Sequence, residues 1–169
     1  LDLYLLKKEI VKYFNNVSYQ ISFEPGRFLV ANAGILVTSI ITTKKNGGIN
    51  YLIVDAGMNS LIRPALYNSY HSIEPFKKNI LKKNKYTIAG PICESSDIFA
   101  KNIFLPEQKS GNKLIIRDVG AYGAVMASNY NSRGLPAEIL INDKDFSIIH
   151  KPITIEEQIK LDLIPNWLV

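Results

Sequence analysis

The strongest constraint on the fold is a pair of apolar runs broken by a glycine turn. "ILVTSIITT" leads through "KKNGG" into "YLIVDAG", spanning residues 35 to 57. Such an arrangement reads as a β-hairpin, with Asn46-Gly47 supplying the positive φ angles that a tight turn requires. Further strands are expected near Tyr86–Ala89, Lys113–Arg117 and Glu138–Ile141. The "NDKD" of residues 142–145 turns the chain back into "FSIIH", and Thr154 with Glu157 forms a capping box that predicts a last short helix.

The first 34 residues follow a different rule. Leu3, Leu6, Ile10 and Tyr13 share one helical face, with Lys7, Lys8 and Lys12 elsewhere, so residues 1–14 predict an amphipathic helix. Tyr19, Ile21 and Phe23 then alternate with polar residues, as in a strand that ends at Glu24. Pro25-Gly26 forces a turn, and residues 28–34 predict a short helix ending at Gly34. One helix and one strand cannot make an α/β domain. Together with Leu1 in place of a methionine, this leads to the expectation that a larger N-terminal domain is missing.

The bulk numbers narrow the function classes. A chain of 169 residues with 47% apolar and 21% charged residues can bury a core as one domain, or as one small domain plus a piece of another. No apolar run reaches membrane-spanning length, and no signal peptide is expected. Cys93 is the single cysteine, which excludes an intrachain disulfide and fits a reducing cytoplasm. The net charge of +5 raises nucleic acid as a partner. However, the densest cluster, Lys77, Lys78, Lys82, Lys83 and Lys85, lacks interleaved aromatics and arginines, so a solvated face is expected there and no nucleic-acid partner.

Four segments carry groups that bind anions or move protons. In "EPGR", Glu24 ends a strand, Gly26 allows close backbone approach and Arg27 adds a cation, which suits a phosphate or cofactor. A simple turn with a surface ion pair suits it equally. In "DAGMNSLIRPALYNSYH", Arg63 and Tyr67 are four residues apart and would face the same way on a helical turn. They could hold a carboxylate, or be a structural arginine and a core tyrosine. In "GPICESSD", Cys93 stands beside Glu94. A neighbouring carboxylate raises a thiol pKa, so the pair suits a protonated, proton-donating thiol better than a thiolate nucleophile. A small buried hydrophobe is the other reading. In "GAYGAVMASNYNS", small residues around Tyr122 would let its ring approach a ligand, or simply pack a helix. One cysteine and the distant His71 and His150 show no metal-ligand spacing.

Taken in order, "EPGRFLVANAG", "VDAGMNSLIRPALYNSYH", "GPICESSDIFAKNIFLP" and "VGAYGAVMASNYNSRGLPAEIL" closely resemble the C-terminal part of diaminopimelate decarboxylases. Ornithine and arginine decarboxylases share EPGR and the GAY segment. The Arg-Pro-Ala-Leu-Tyr run and Cys-Glu-Ser are more similar to the diaminopimelate branch.

The resemblance implies a pyridoxal 5'-phosphate-dependent enzyme, a TIM-like barrel followed by a β-domain. Residues 1–34 would close the barrel. Residues 35–169 would form a mainly β, antiparallel, barrel-like domain with short helices. By that likeness Glu24 would face the pyridinium nitrogen, and Gly26 and Arg27 would hold the phosphate. Arg27 would also reach the substrate, Arg63, Tyr67 and Glu94 would bind diaminopimelate, and Tyr122 would touch both cofactor and substrate. Cys93 would be the proton donor, entering the partner subunit's site with Glu94 in a homodimer. Thiol and carboxylate would adjoin because one protonates the carbanion left by CO2 while the other reads the distal ammonium. The family's Schiff-base lysine, glycine-rich phosphate loop and ring-stacking histidine lie in an N-terminal part not found here, so the chain alone is expected to be inactive. Two alternatives stand: a sister decarboxylase for another basic amino acid, and a non-catalytic β-domain that binds or regulates a homologous enzyme.

Overall fold

The computed structural model describes residues 2–77 and 82–168. Lys78 of the lysine cluster lies outside the described residues, while Lys77, Lys82, Lys83 and Lys85 are exposed. Six strands form one sheet: β1 (Ile35–Asn46), β2 (Ile49–Val54), β3 (Ile73–Pro75), β4 (Lys83–Ala89), β5 (Ile98–Pro106) and β6 (Lys113–Arg117). Their order is β3-β6-β1-β2-β4-β5. The end strands β3 and β5 also approach each other, so the sheet curls into a nearly closed barrel. Ile40, Leu52, Val54, Leu61, Ile88, Leu114 and Ile116 fill its interior with almost no exposure. Along β1, β2 and β6 the buried residues alternate with more exposed ones, as the period of two requires, whereas Tyr86–Ala89 of β4 are buried without a break.

The mainly β class holds, with two refinements. One pair, β2 with β4, is parallel, so the sheet is mixed. Residues 55–82 carry the chain across between them, and this crossover contains α3 (Arg63–Tyr67) and β3. The hairpin turn also falls one residue later than expected. Asn46 pairs with Ile49, and Gly47 and Gly48 take the left-handed backbone, at φ 54° and 78°. With two glycines available, both turn positions escape the Cβ penalty that Asn46 would meet.

The expected strand over Tyr19–Phe23 is corrected. These residues carry no strand pairing among the described residues. Alternation sets which faces a segment would present, but a strand exists only when a neighbour completes its hydrogen bonds. The flanking helices do form. The first, α1 (Leu3–Phe14), is capped by the Asp2 carboxylate, and α2 (Gly26–Val30) continues as a tighter turn to Ala33.

Beyond the barrel, β7 (Glu138–Asn142) and β8 (Asp145–His150) pair as a separate hairpin. The final helix α4 (Ile155–Ile159) shows the expected Thr154–Glu157 capping box. The hairpin is exposed on both faces, including Ile139, Leu140, Ile141, Phe146, Ile148 and Ile149. Among the described residues, no helix is long and apolar enough to cross a membrane.

Candidate functional site

The short helix α3 follows from Pro64 at its first turn and ends where Asn68 takes the left-handed conformation. One helical turn places Arg63 and Tyr67 on the same side, with the guanidinium carbon 5.2 Å from the Tyr67 ring centre. The same guanidinium lies 5.2 Å from the ring centre of Tyr122. Arg63 therefore stands against two phenol rings, held by the ring quadrupoles rather than by a carboxylate. It makes no salt bridge among the described residues.

Tyr122 arrives there through a tight loop. Its backbone sits at φ 61°, a conformation that costs a bulky residue about 1–2 kcal/mol. Two backbone bonds hold the loop against the end of the α2 segment: Val119 N–H to Gly34 O at 3.1 Å, and Gly120 N–H to Ala31 O at 3.0 Å. The contact is backbone against backbone, since a Cβ on Gly120 would lie 2.0 Å from Val30 O. This joint brings the EPGR segment beside the tyrosine, with the Cβ position of Gly26 3.4 Å from Tyr122 Oη. Gly26, Arg63, Tyr67 and Tyr122 thus form one cluster, in which both tyrosines remain exposed. Glu24 and Arg27 flank Gly26 and are exposed.

Cys93 and Glu94 lie on another loop and are exposed. Among the described residues, no hydrogen bond or ion pair links them to Arg27, Arg63, Tyr67 or Tyr122. The backbone N–H and then the hydroxyl of Ser96 bond to the Glu94 carboxylate, at 3.3 and 3.2 Å, and hold it below the usual carboxylate range. A shallow polar depression of about 460 Å³ lies elsewhere, by Lys44, Asn50, Tyr86 and Glu107, and includes none of these residues.

Sequence reasoning missed the joint between Gly34 and Gly120 and the role of Asp97. The Asp97 carboxylate is buried and accepts the N–H groups of Met58 at 2.7 Å and Ile92 at 2.8 Å. The visible signal was only a pair of glycines in two motifs and an aspartate closing a serine turn.

Two carboxylates, Asp97 in the interior and Asp55 at an exposed position, give opposite pH responses. Burial pushes the Asp97 carboxyl above its usual range, and the N–H bonds of Ile92 and Met58 with the charge of Arg133 offset this only in part. Burial also acts on Asp55, but the hydrogen bonds from Thr38 and Ser39 outweigh it and lower the carboxyl. Asp97 therefore contributes stability that is full below the reference value of 3.8 and is lost as pH rises through its raised pKa. Asp55 contributes above 3.8 and loses that contribution as pH falls through its lowered pKa. Thermal melts by circular dichroism across this range are expected to show Asp97→Asn removing a decline on the alkaline side. Asp55→Asn is expected to remove one on the acid side.

The family described as pyridoxal-dependent decarboxylase, C-terminal sheet domain, matches residues 8–120, and the chain belongs to it. Its similarity is to diaminopimelate decarboxylases in particular. The enzyme of Escherichia coli K12 is 41% identical over 157 residues, covering 86% of this chain and 37% of that protein. The Buchnera aphidicola (Acyrthosiphon pisum) enzyme is 42% identical over 170 residues, covering 94% and 41%. Among solved structures, diaminopimelate decarboxylase from M. jannaschii in co-complex with L-lysine superposes with a TM-score of 0.85 at 38% identity, covering 97% of this chain and 38% of that one. The lysine/ornithine decarboxylase from Vibrio vulnificus complexed with cadaverine gives a TM-score of 0.57 at 27% identity, covering 62% and 29%. The chain spans about 40% of the length of the diaminopimelate decarboxylases it matches.

Proposed function

We propose that this chain is the C-terminal part of a cytoplasmic, homodimeric diaminopimelate decarboxylase that converts meso-2,6-diaminopimelate to L-lysine and CO2 in lysine biosynthesis. The observation that carries this reading is the Arg63 guanidinium held over Tyr67 and Tyr122, with Gly26 against the Tyr122 hydroxyl. It is a cation with no salt bridge among the described residues, set against two exposed tyrosines and suited to a carboxylate that brings its own charge.

The residues present fit part of a pyridoxal phosphate site. Arg27 has no salt-bridge partner among the described residues and can meet a phosphate, and the chain at Gly26 passes against Tyr122 with no side chain between them. When bound, the cofactor stores the electrons released as CO2 leaves. Glu24 supplies an anion for the ring nitrogen, and Arg63 and Tyr67 orient the substrate's carboxylate. Glu94, kept ionised by Ser96, pairs with the distal ammonium. Cys93 carries on Sγ the proton delivered to the substrate carbon. Because no hydrogen bond or ion pair among the described residues links Cys93 or Glu94 to the Arg63 cluster, this reading has them serve the partner subunit's site.

The Schiff-base lysine belongs, on this reading, to a barrel supplied by residues 1–34 and a preceding N-terminal part. The apolar residues left exposed in that segment, Tyr19, Phe23, Phe28, Leu29 and Val30, support such a docked partner. The test is CO2 release from meso-diaminopimelate, by this chain alone and by this chain fused to the N-terminal part of the Escherichia coli relative. Cofactor-dependent release by the fusion only is expected. Robust release by the chain alone would overturn the assignment of the lysine. Release from ornithine or arginine but not diaminopimelate would favour a sister decarboxylase.

A further inference from the structure

We infer that Asp97 is a positioning residue that locks the loop carrying Cys93 and Glu94 to the turn that feeds the Arg63 helix, so that both sets of proposed site residues ride on one frame. The catalytic consequence rests on the function proposed above, whereas the lock itself rests on geometry alone.

Asp97 is 3% exposed, and its carboxylate bridges two segments far apart in sequence. Its Oδ2 accepts the N–H of Ile92 at 2.8 Å, within the cysteine loop, and its Oδ1 accepts the N–H of Met58 at 2.7 Å, across the gap. The loop is closed on the same residue through the backbone: Gly90 N–H donates to Asp97 O at 3.0 Å, and Asp97 N–H to Glu94 O at 3.1 Å. A Cβ at Gly90 would stand 2.2 Å from the carboxylate, so the glycine makes the room the clamp occupies.

The turn at residues 57–60 then passes the constraint on. Ser60 and Leu61 N–H both bond to Gly57 O, Leu61 is buried in the core, and Arg63 follows two residues later. Asn59 O accepts Ser128 N–H at 2.8 Å, which ties the same turn to the segment after Tyr122. Three segments that carry proposed site residues therefore meet at one turn, and Asp97 is the side chain that attaches the cysteine loop to it. A carboxylate suits this place because it accepts two N–H bonds at once. An asparagine carbonyl accepts there, but its NH2 donates and leaves one amide unpaired.

Backbone hydrogen–deuterium exchange of the fusion described above, with Asp97→Ala and Asp97→Asn, tests the lock. Asp97→Ala is expected to speed exchange at Met58, Ile92 and residues 93–96 by roughly tenfold or more while Leu114 and Ile116 in β6 exchange as before. Asp97→Asn is expected to free only one of the two amides. In turnover, kcat is expected to fall and KM for diaminopimelate to rise together, less in the asparagine variant. A residue that only maintained the folded fraction would lower apparent kcat and leave KM in place. Unchanged exchange at Met58, or faster exchange spread equally into β6, overturns the inference. Should Asp97→Ala not fold, the asparagine variant carries the same comparison. A fusion that shows the exchange pattern but no decarboxylation upholds the lock and refutes the functional reading.

Discussion

Gly120→Ala is expected to separate the EPGR segment from Tyr122 and to destabilise the chain. The added methyl would lie 2.0 Å from Val30 O, 2.9 Å from Gly34 N and 3.1 Å from Ala31 O. All three are backbone atoms, so no side chain can rotate away. Overpacking of this kind costs about 1–3 kcal/mol, and relief requires breaking the bonds from Val119 to Gly34 and from Gly120 to Ala31. Gly34→Ala meets the same wall from the other side, with its Cβ 2.5 Å from Gly120 Cα. Chemical denaturation should show the loss of stability. Exchange protection should fall first at Ala31–Gly34 and Val119–Tyr122 while the strands retain theirs. Full stability in both variants would mean that the close approach is not maintained in solution.

Cys93→Ala in the fusion is expected to lower kcat by about 10²–10⁴-fold, the range for a positioned general acid, with little change in KM. The reason is geometric as well as chemical. Cys93 is exposed at a loop tip, so its removal opens no core cavity and should leave melting temperature nearly unchanged. This exposure sets aside the reading of a small hydrophobe buried within the chain; a cysteine buried only against a partner would lose stability with nearly normal turnover. Steady-state kinetics beside a thermal melt on the same preparation separates them. Normal turnover in the alanine variant would remove Cys93 from the mechanism.

Much of the fold could be read in the sequence because local rules govern it. Apolar runs about a glycine turn marked β1 and β2, strands were expected within β4, β6 and β7, and Asp143, at φ 53°, turns the second hairpin where "NDKD" predicted it. The four-residue spacing of Arg63 and Tyr67 became a shared helical side. Strand β5 went unpredicted, since "IFAKNIFLP" has broken alternation and two register shifts against β4. The Tyr19–Phe23 segment had the pattern of a strand but no neighbour to pair with.

What the sequence determined by itself was therefore the inventory: strands, turns, the Thr154 cap, and an ordered set of motifs that marks the decarboxylase sheet domain. These depend on residues within a few positions of one another, where periodicity and turn chemistry act. The tertiary structure decided the rest: the parallel pairing of β2 with β4, Arg63 between two phenol rings, the fusion of Gly34 to Gly120, and the clamp of Asp97 on Met58. Each joins residues far apart along the chain. Their meeting depends on how the sheet curls to bury Ile40, Leu52, Ile88 and Leu114, which no local pattern encodes.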